Sequence, residues 1–239
     1  MQYYLFKEAC ATKETGPVYP QIQKWKPGYD DNKADSYYSY YEASSKGNIF
    51  PNFTPDMDAL IMHGRAKPTD LLSSGLSIGF IVSQKLKVLF EQFKFPPHRF
   101  YPAKLIYKET EVAGYYFMHL ISNYFEDYLN YINYSQSIFT ITGIDGKSIQ
   151  SISLESKQEY LATSKQLQEE ALTKKIFSSI SAHNICFNPN FDKDLDCFSA
   201  PFGIEYYISE RLRNMLLENL ITGCDITPTD KLLFNQAYI

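Results

Sequence analysis

The stretch Phe80-Ile-Val-Ser83-Gln-Lys-Leu86-Lys-Val-Leu89-Phe90-Glu-Gln-Phe93 sets the pattern for the chain. Phe80–Val82 is a short β-prone run. Leu86, Leu89, Phe90 and Phe93 then recur at i, i+3, i+4 and i+7, which is one face of a helix. Ser83 stands at the junction, where its hydroxyl can accept a free N–H of the first turn, so an N-cap is predicted there. Pro96-Pro97 stops the helix. The same order returns 126 residues later as Tyr206-Tyr-Ile208-Ser209-Glu-Arg-Leu212-Arg-Asn-Met215-Leu216. Ala59–Pro102 lies on Ile185–Pro228 without a gap. Lys67/Lys193, Asp70/Asp196, Ser73/Ser199, Ile78/Ile204, Ser83/Ser209, Leu86/Leu212 and Pro102/Pro228 are identical. Any two strand–helix units look somewhat alike. The strand–serine–helix order, kept over an ungapped span, favours a true internal repeat.

Outward from these units, Met1–Phe6 reads as a strand. Residues 13–56 are rich in Pro, Gly, Asp, Asn and Tyr and read as a long ordered loop, with short strands around Trp25 and Tyr37–Tyr41. Ala59–Met62, Phe100–Tyr107 and Tyr115–Ile121 read as strands. Gln136–Leu154 is a hairpin turning at Asp145-Gly146. Glu155–Leu172 is a polar helix packed by Tyr160, Leu161 and Leu167. The second repeat helix ends at Thr222-Gly223, where Gly can take the left-handed C′ position. The expected fold is α+β, with mixed or antiparallel sheets and a few amphipathic helices. Residues 1–239 form one domain or two tightly packed halves, containing the related units 59–102 and 185–228.

The apolar content of 44% is enough for a sizeable core and excludes wholesale disorder. Aromatics at 16% tilt the reading toward strands and half-buried surfaces. Residues 1–100 carry 12 basic and 10 acidic side chains; residues 101–239 carry 11 and 17. An acidic second half argues against a nucleic-acid partner, which needs clustered Lys and Arg. It suits a basic protein, or simply a solvated surface. No run of 18 apolar residues is present, so no membrane partner is expected. The opening Met1–Phe6 runs directly into Lys7-Glu8 and lacks an apolar secretion core, so a cytoplasmic location is expected.

Linear motifs for chemistry are missing. There is no Gly-x-Ser-x-Gly elbow and no Gly-x-Gly-x-x-Gly turn. Gly146-Lys147-Ser148 lacks the earlier glycine of a phosphate loop, since Ile141 holds that place. His183, Cys186 and Cys197 offer three zinc ligands without a fourth, and buried thiols explain them better. No metal, cofactor or catalytic residue is predicted. Asp192, Asp194 and Asp196 would share one face of an extended segment. That face suits basic groups of a partner; calcium is disfavoured because an EF-hand would need Gly and Glu where Cys197 and Gly203 stand. With Tyr206 they are the candidate partner-binding residues, while Ser83 and Ser209 are structural caps.

Asp194-Leu-Asp196-Cys-Phe198, Tyr206-Tyr-Ile208-Ser209-Glu-Arg-Leu212, Leu216 and Thr222-Gly223-x-x-Ile226 together resemble the C-terminal signature of bacterial immunity proteins of polymorphic toxin systems. Met1-Gln-Tyr-Tyr-Leu is similar to their opening strand. Leu71–Tyr107, Tyr115-Tyr116 and Ser137-Ile-Phe139 look similar to a related immunity family. The resemblance touches most of the chain from residue 59 onward and rests on structural motifs. It implies a non-enzymatic inhibitor that binds a cognate toxin acting in the cytoplasm. The alternative is an enzyme or small-ligand-binding module whose site is assembled from distant residues.

Overall fold

A computed structural model describes residues 2–47, 49–121, 128–200, 202 and 205–234, without the side chains of 46 and 47. The chain runs through β1 (Tyr3–Glu8), β2 (Ile22–Trp25), α1 (Tyr37–Gly47), β3 (Leu60–Met62), β4 (Leu71–Leu72), β5 (Phe80–Ser83), α2 (Gln84–Phe90), β6 (His98–Tyr107) and β7 (Thr110–Leu120). Short 3-10 turns at Tyr128–Tyr131 and Tyr134–Gln136 precede β8 (Ile138–Gly143), β9 (Ser148–Ile152), α3 (Lys157–Lys174) and β10 (Ser178–Phe187). Then follow β11 (Cys197–Ser199), β12 (Tyr206–Ser209), α4 (Glu210–Glu218), β13 (Cys224–Pro228) and β14 (Leu232–Phe234). The fold is α+β, with mixed and antiparallel sheets.

The chain divides into two compact units, and the division does not follow the sequence repeat. Unit 1 holds residues 1–122, 194–198 and 206–227; unit 2 holds the remainder. Unit 2 is built on a four-stranded sheet ordered β14-β10-β8-β9, with the helix α3. Its β8–β9 hairpin turns through Gly143–Gly146, with Gly146 at φ +74°. In α3, Tyr160 and Leu167 are buried, whereas Leu161 stays exposed, against the expected packing.

Unit 1 contains a six-stranded sheet ordered β2-β3-β6-β7-β5-β4 and a four-stranded sheet ordered β11-β12-β1-β13. Side chains alternate across the larger sheet, as strand geometry requires. Leu72, Ile81 and Phe117 enter one core with Tyr37 and Tyr40 of α1. Leu71, Val82 and Met118 enter another with Leu86, Leu89 and Phe90 of α2, Leu212 and Leu216 of α4, and Tyr4, Phe6 and Ile208 of the smaller sheet.

The repeat is visible in this second core. Strands β4, β5 and β6 correspond to β11, β12 and β13 at the 126-residue offset, and α2 corresponds to α4. Between β5 and β6 lies β7; between β12 and β13 lies β1. The registers agree: Phe80 faces Met118, and Tyr206 faces Phe6. Ile121 N–H donates to Pro97 O at 2.8 Å, and Ala9 N–H donates to Gly223 O at 2.9 Å. Lys87 lies over the Tyr116 ring, as Arg213 lies over that of Tyr4. The N-terminal strand therefore completes the second repeat, within unit 1. The correspondence begins at Asp70/Asp196, since β3 belongs to unit 1 and β10 to unit 2.

Three local expectations change. Tyr37–Tyr41 is helical: Tyr37, Tyr40, Tyr41 and Ser44 fall at i, i+3, i+4 and i+7, and the Ser36 hydroxyl accepts from Ser39 N–H at 3.1 Å. Tertiary packing of that face overrides the β-preference of tyrosine. Helix α2 ends at Phe90, several residues before Pro96. Helix α4 ends with Leu220 in the left-handed region, at φ +51°. Gly223, at φ +84°, serves a close approach instead: a Cβ there would lie 2.0 Å from Leu71 O.

Candidate functional site

At the edge of the larger sheet a β-bulge re-aims two apolar side chains. Ile22 faces Met62 and Trp25 faces Leu60, with the register shifted by one residue between Ile22 and Lys24. Met62 and Leu60 point into the core, so Ile22 and Trp25 lie on that face too, despite their odd spacing. Beside them opens a cleft of about 210 Å³ lined by Pro20, Ile22, Lys24, Trp25, Tyr37, Tyr38, Tyr41 and Leu76, among others. Ile22, Leu60 and Tyr37 are its buried parts; Tyr38 is 45% exposed and Tyr19 nearby in sequence 53%. Trp25 stacks on Tyr29 at 4.2 Å and lies 5.7 Å from Tyr37 and 6.2 Å from Tyr38.

Hydrogen bonds fix two members of this aromatic group, Tyr29 and Tyr37. The Tyr29 hydroxyl accepts from Tyr37 N–H at 2.7 Å and donates to Asp56 O at 3.0 Å. The Tyr37 hydroxyl accepts from Ser77 N–H at 2.9 Å. Burial pushes the Tyr29 and Tyr37 phenols up to about 12, so both remain neutral at physiological pH. Pre-set aromatic side chains of this kind give contact area at low entropic cost.

The predicted aspartates do not form one face. Residues 191–196 are bends and turns, so the period-two argument fails. Asp192 and Asp194 are exposed, but Asp196 is fully buried. Its carboxylate accepts from the Ser209 hydroxyl at 2.6 Å, Lys94 N–H at 2.8 Å, and Arg211 Nε and Nη2 at 2.5 and 2.6 Å. Burial alone would raise its pKa; Arg211, Ser209 and the Lys94 N–H outweigh that and hold it below the ordinary carboxylate value. Asp196 is thus a structural residue, withdrawn from the partner-binding set. Tyr206 is half-buried, with its ring 4.7 Å from Phe80. Ser83 and Ser209 both stand at N-caps, accepting from Leu86 and Leu212 N–H.

Perturbed ionisable groups occur elsewhere in unit 1. His119 Nδ1 lies 2.8 Å from the Tyr40 hydroxyl, and Nε2 lies 3.2 Å from Ser44 Oγ. Tyr40 donates onward to Tyr101 at 2.9 Å. The imidazole is pushed down to about 4, by burial and then by Arg99. Despite its serine–histidine pair, this group is sealed: Tyr40, Ser44 and His119 are all buried. It ties α1 to β6 and β7. Glu8 is pushed up to about 7 by burial, partly offset by a backbone hydrogen bond at Ser74. Cys186 and Cys197 are buried, and burial pushes both thiols up. Among the described residues no group of three or more His, Cys, Asp or Glu side chains is placed to hold a metal ion. No described helix is long and apolar enough to cross a membrane.

The cleft residues were outside the predicted site. Their signal was the single Trp set beside a tyrosine-rich run, which only the helical reading of Tyr37–Tyr41 brings onto one surface. No family model matches the chain, and no curated protein matches it.

Proposed function

We propose that this protein works by binding another protein without catalysis, and that the partner is a cognate toxin which it neutralises in the cytoplasm. The observation that carries the binding reading is the aromatic rim of Trp25, Tyr38 and Tyr41 around a cleft at a sheet edge. Aromatic anchors beside an apolar pocket are the usual source of binding energy at protein interfaces. The toxin as partner rests on the resemblance carried by Asp194–Phe198, Tyr206–Leu212 and Thr222–Ile226. The exposed Asp192 and Asp194 remain candidates for contact with basic groups of the toxin. The test is to co-express the toxin domain encoded beside this gene. Growth should be rescued and a stoichiometric complex recovered. Unrelieved toxicity, or the lack of any such neighbour, would remove the neutralisation reading.

The alternative, a small-ligand or enzymatic site assembled from distant residues, has only the Glu8 carboxyl, raised to about 7 by burial, in its favour, and Glu8 lines neither this cleft nor any other described. Turnover of a small substrate, lost in Glu8→Gln, would support it.

A further inference from the structure

We infer that β2 is an open docking edge for an extended, acidic peptide segment of the partner, which pairs with Trp25 and seats one large apolar side chain in the aromatic cleft. This deepens the protein-binding reading above and rests on it.

The backbone directions carry the first step. Lys26 N–H donates to Ala59 O at 2.7 Å, on the β3 side. Peptide groups alternate along an antiparallel pair, so Trp25, which faces Leu60, turns its own N–H and C=O away from β3. Ile22 N–H points to the same outer side, and Ser73 O takes it at 3.0 Å. An extended segment of this chain thus already occupies the outer edge at Ile22. Gly75, Leu76 and Ser77 also line the cleft, and among the described residues no backbone hydrogen bond joins them to Trp25. Opposite Trp25 a strand-like occupant can exchange both backbone hydrogen bonds, as in β-strand addition.

Side chains select the occupant. A cleft of about 210 Å³ with Ile22, Leu60 and Tyr37 at its buried parts is sized for one large apolar or aromatic side chain. Lys24 and Lys26 are exposed on the same edge, and neither enters an ion pair among the described residues. Lysines on an edge strand repel other strands in general and favour one that brings carboxylates. The segment that fits is extended, carries Asp or Glu toward Lys24 and Lys26, and places an aromatic or large aliphatic residue between them.

Trp25 is the single tryptophan, so its fluorescence reports the cleft directly. The full chain would be immobilised and presented with a phage-displayed library of random 12-residue peptides. Enrichment of acidic sequences with a large apolar residue is expected. Synthetic copies should shift Trp25 emission, and lose at least about tenfold in affinity against Lys24→Glu/Lys26→Glu. Backbone N-methylation at the pairing residue should abolish binding. Failure to enrich, enrichment of proline-rich or basic sequences, or binding indifferent to N-methylation would overturn the inference. Co-expression separates the two readings. Wild-type rescue lost in Lys24→Glu/Lys26→Glu supports both. Equal rescue by the two sinks the docking edge and spares neutralisation. No rescue by wild type sinks neutralisation, and the peptide result then decides the edge alone.

Discussion

Asp70 and Asp196 occupy equivalent places in the two repeats of unit 1, and each closes the same kind of clasp. Ser83 donates to Asp70 at 2.7 Å, and Ser209 donates to Asp196 at 2.6 Å. Each aspartate also reaches across to the other repeat. Asp70 accepts from Thr222 N–H, just after α4, at 3.0 Å; Asp196 accepts from Lys94 N–H, just after α2, at 2.8 Å. The surroundings differ. The Asp70 side chain is 14% exposed and its cation, Lys85, stands 4.0 Å away. The Asp196 side chain is 1% exposed and is gripped by both Arg211 nitrogens. One geometry has thus been kept in two dielectric settings, and the drier copy received the planar, bidentate cation. Whatever the clasp contributes should be larger at Asp196 than at Asp70.

The largest effect is expected at a point where the repeats differ in backbone, since Gly223 has φ +84° and proline is confined to negative φ. Gly223 corresponds to Pro97, and each carbonyl accepts a strand N–H. Pro97 is exposed, whereas Gly223 lies against backbone, with a would-be Cβ 2.0 Å from Leu71 O and 2.7 Å from Thr69 Oγ1. Gly223→Ala adds a left-handed penalty to that clash and should cost about 4 kcal/mol. Pro97→Ala should cost about 1 kcal/mol or less. Urea unfolding followed by Trp25 fluorescence would measure both. Equal costs would show that the two crossings are packed alike.

Next in size are the aspartates. Asp196→Ala leaves the part-buried Lys94 N–H and the buried Ser209 hydroxyl without their acceptor and should cost roughly 3 kcal/mol. Asp70→Ala should cost roughly 1–2 kcal/mol, because water can replace part of what is lost. The acid dependence has a definite sign. The folded Asp196 carboxyl lies below its unfolded value, so its contribution is complete above the ordinary carboxylate pKa. That contribution is lost as pH falls through the folded value. The stability gap between wild type and Asp196→Asn should therefore be constant from pH 7 to about 5 and close only in stronger acid. A gap that closes near neutrality would mean that another group carries it.

The cap serines and the helix faces were legible in the sequence because both are local: period and spacing place Leu86, Leu89 and Phe90 with no knowledge of the rest of the fold. The wrap of β1 into the second repeat was less visible. It leaves only a Tyr-Tyr pair, Tyr3-Tyr4 against Tyr115-Tyr116, at a different offset from the one that aligns the helices. Asp196 was misjudged because alternation along an assumed strand cannot show that the chain turns there. The cleft lay out of reach because its walls come from residues 20–25, 37–41, 60 and 75–77, joined only by the tertiary fold.

Ser209→Ala and Ser83→Ala come third. Both hydroxyls accept a first-turn N–H and donate to an aspartate, but Ser209 is buried while Ser83 is half-buried. About 2 kcal/mol is expected at Ser209 and about 1 at Ser83.

The smallest effect lies in the cations themselves. Arg211 is 63% exposed although its partner is buried, so much of its charge is screened by water. What Lys cannot reproduce at this place is the fork that satisfies both carboxylate oxygens at once. Arg211→Lys should therefore cost about 1 kcal/mol, less than Asp196→Ala. At the other clasp Asp70 already has Ser83 and Thr222 as donors, and Lys85 stands 4.0 Å away while also reaching Leu220 O at 3.4 Å. Lys85→Arg should accordingly move stability by no more than about 0.5 kcal/mol. The two variants are best read at low salt and at 0.5 M salt, where the Debye length is only about 4 Å. A cost at Arg211 that survives high salt belongs to hydrogen-bond geometry. A cost that vanishes there is plain attraction between charges, and the contrast between the clasps would then come from burial alone.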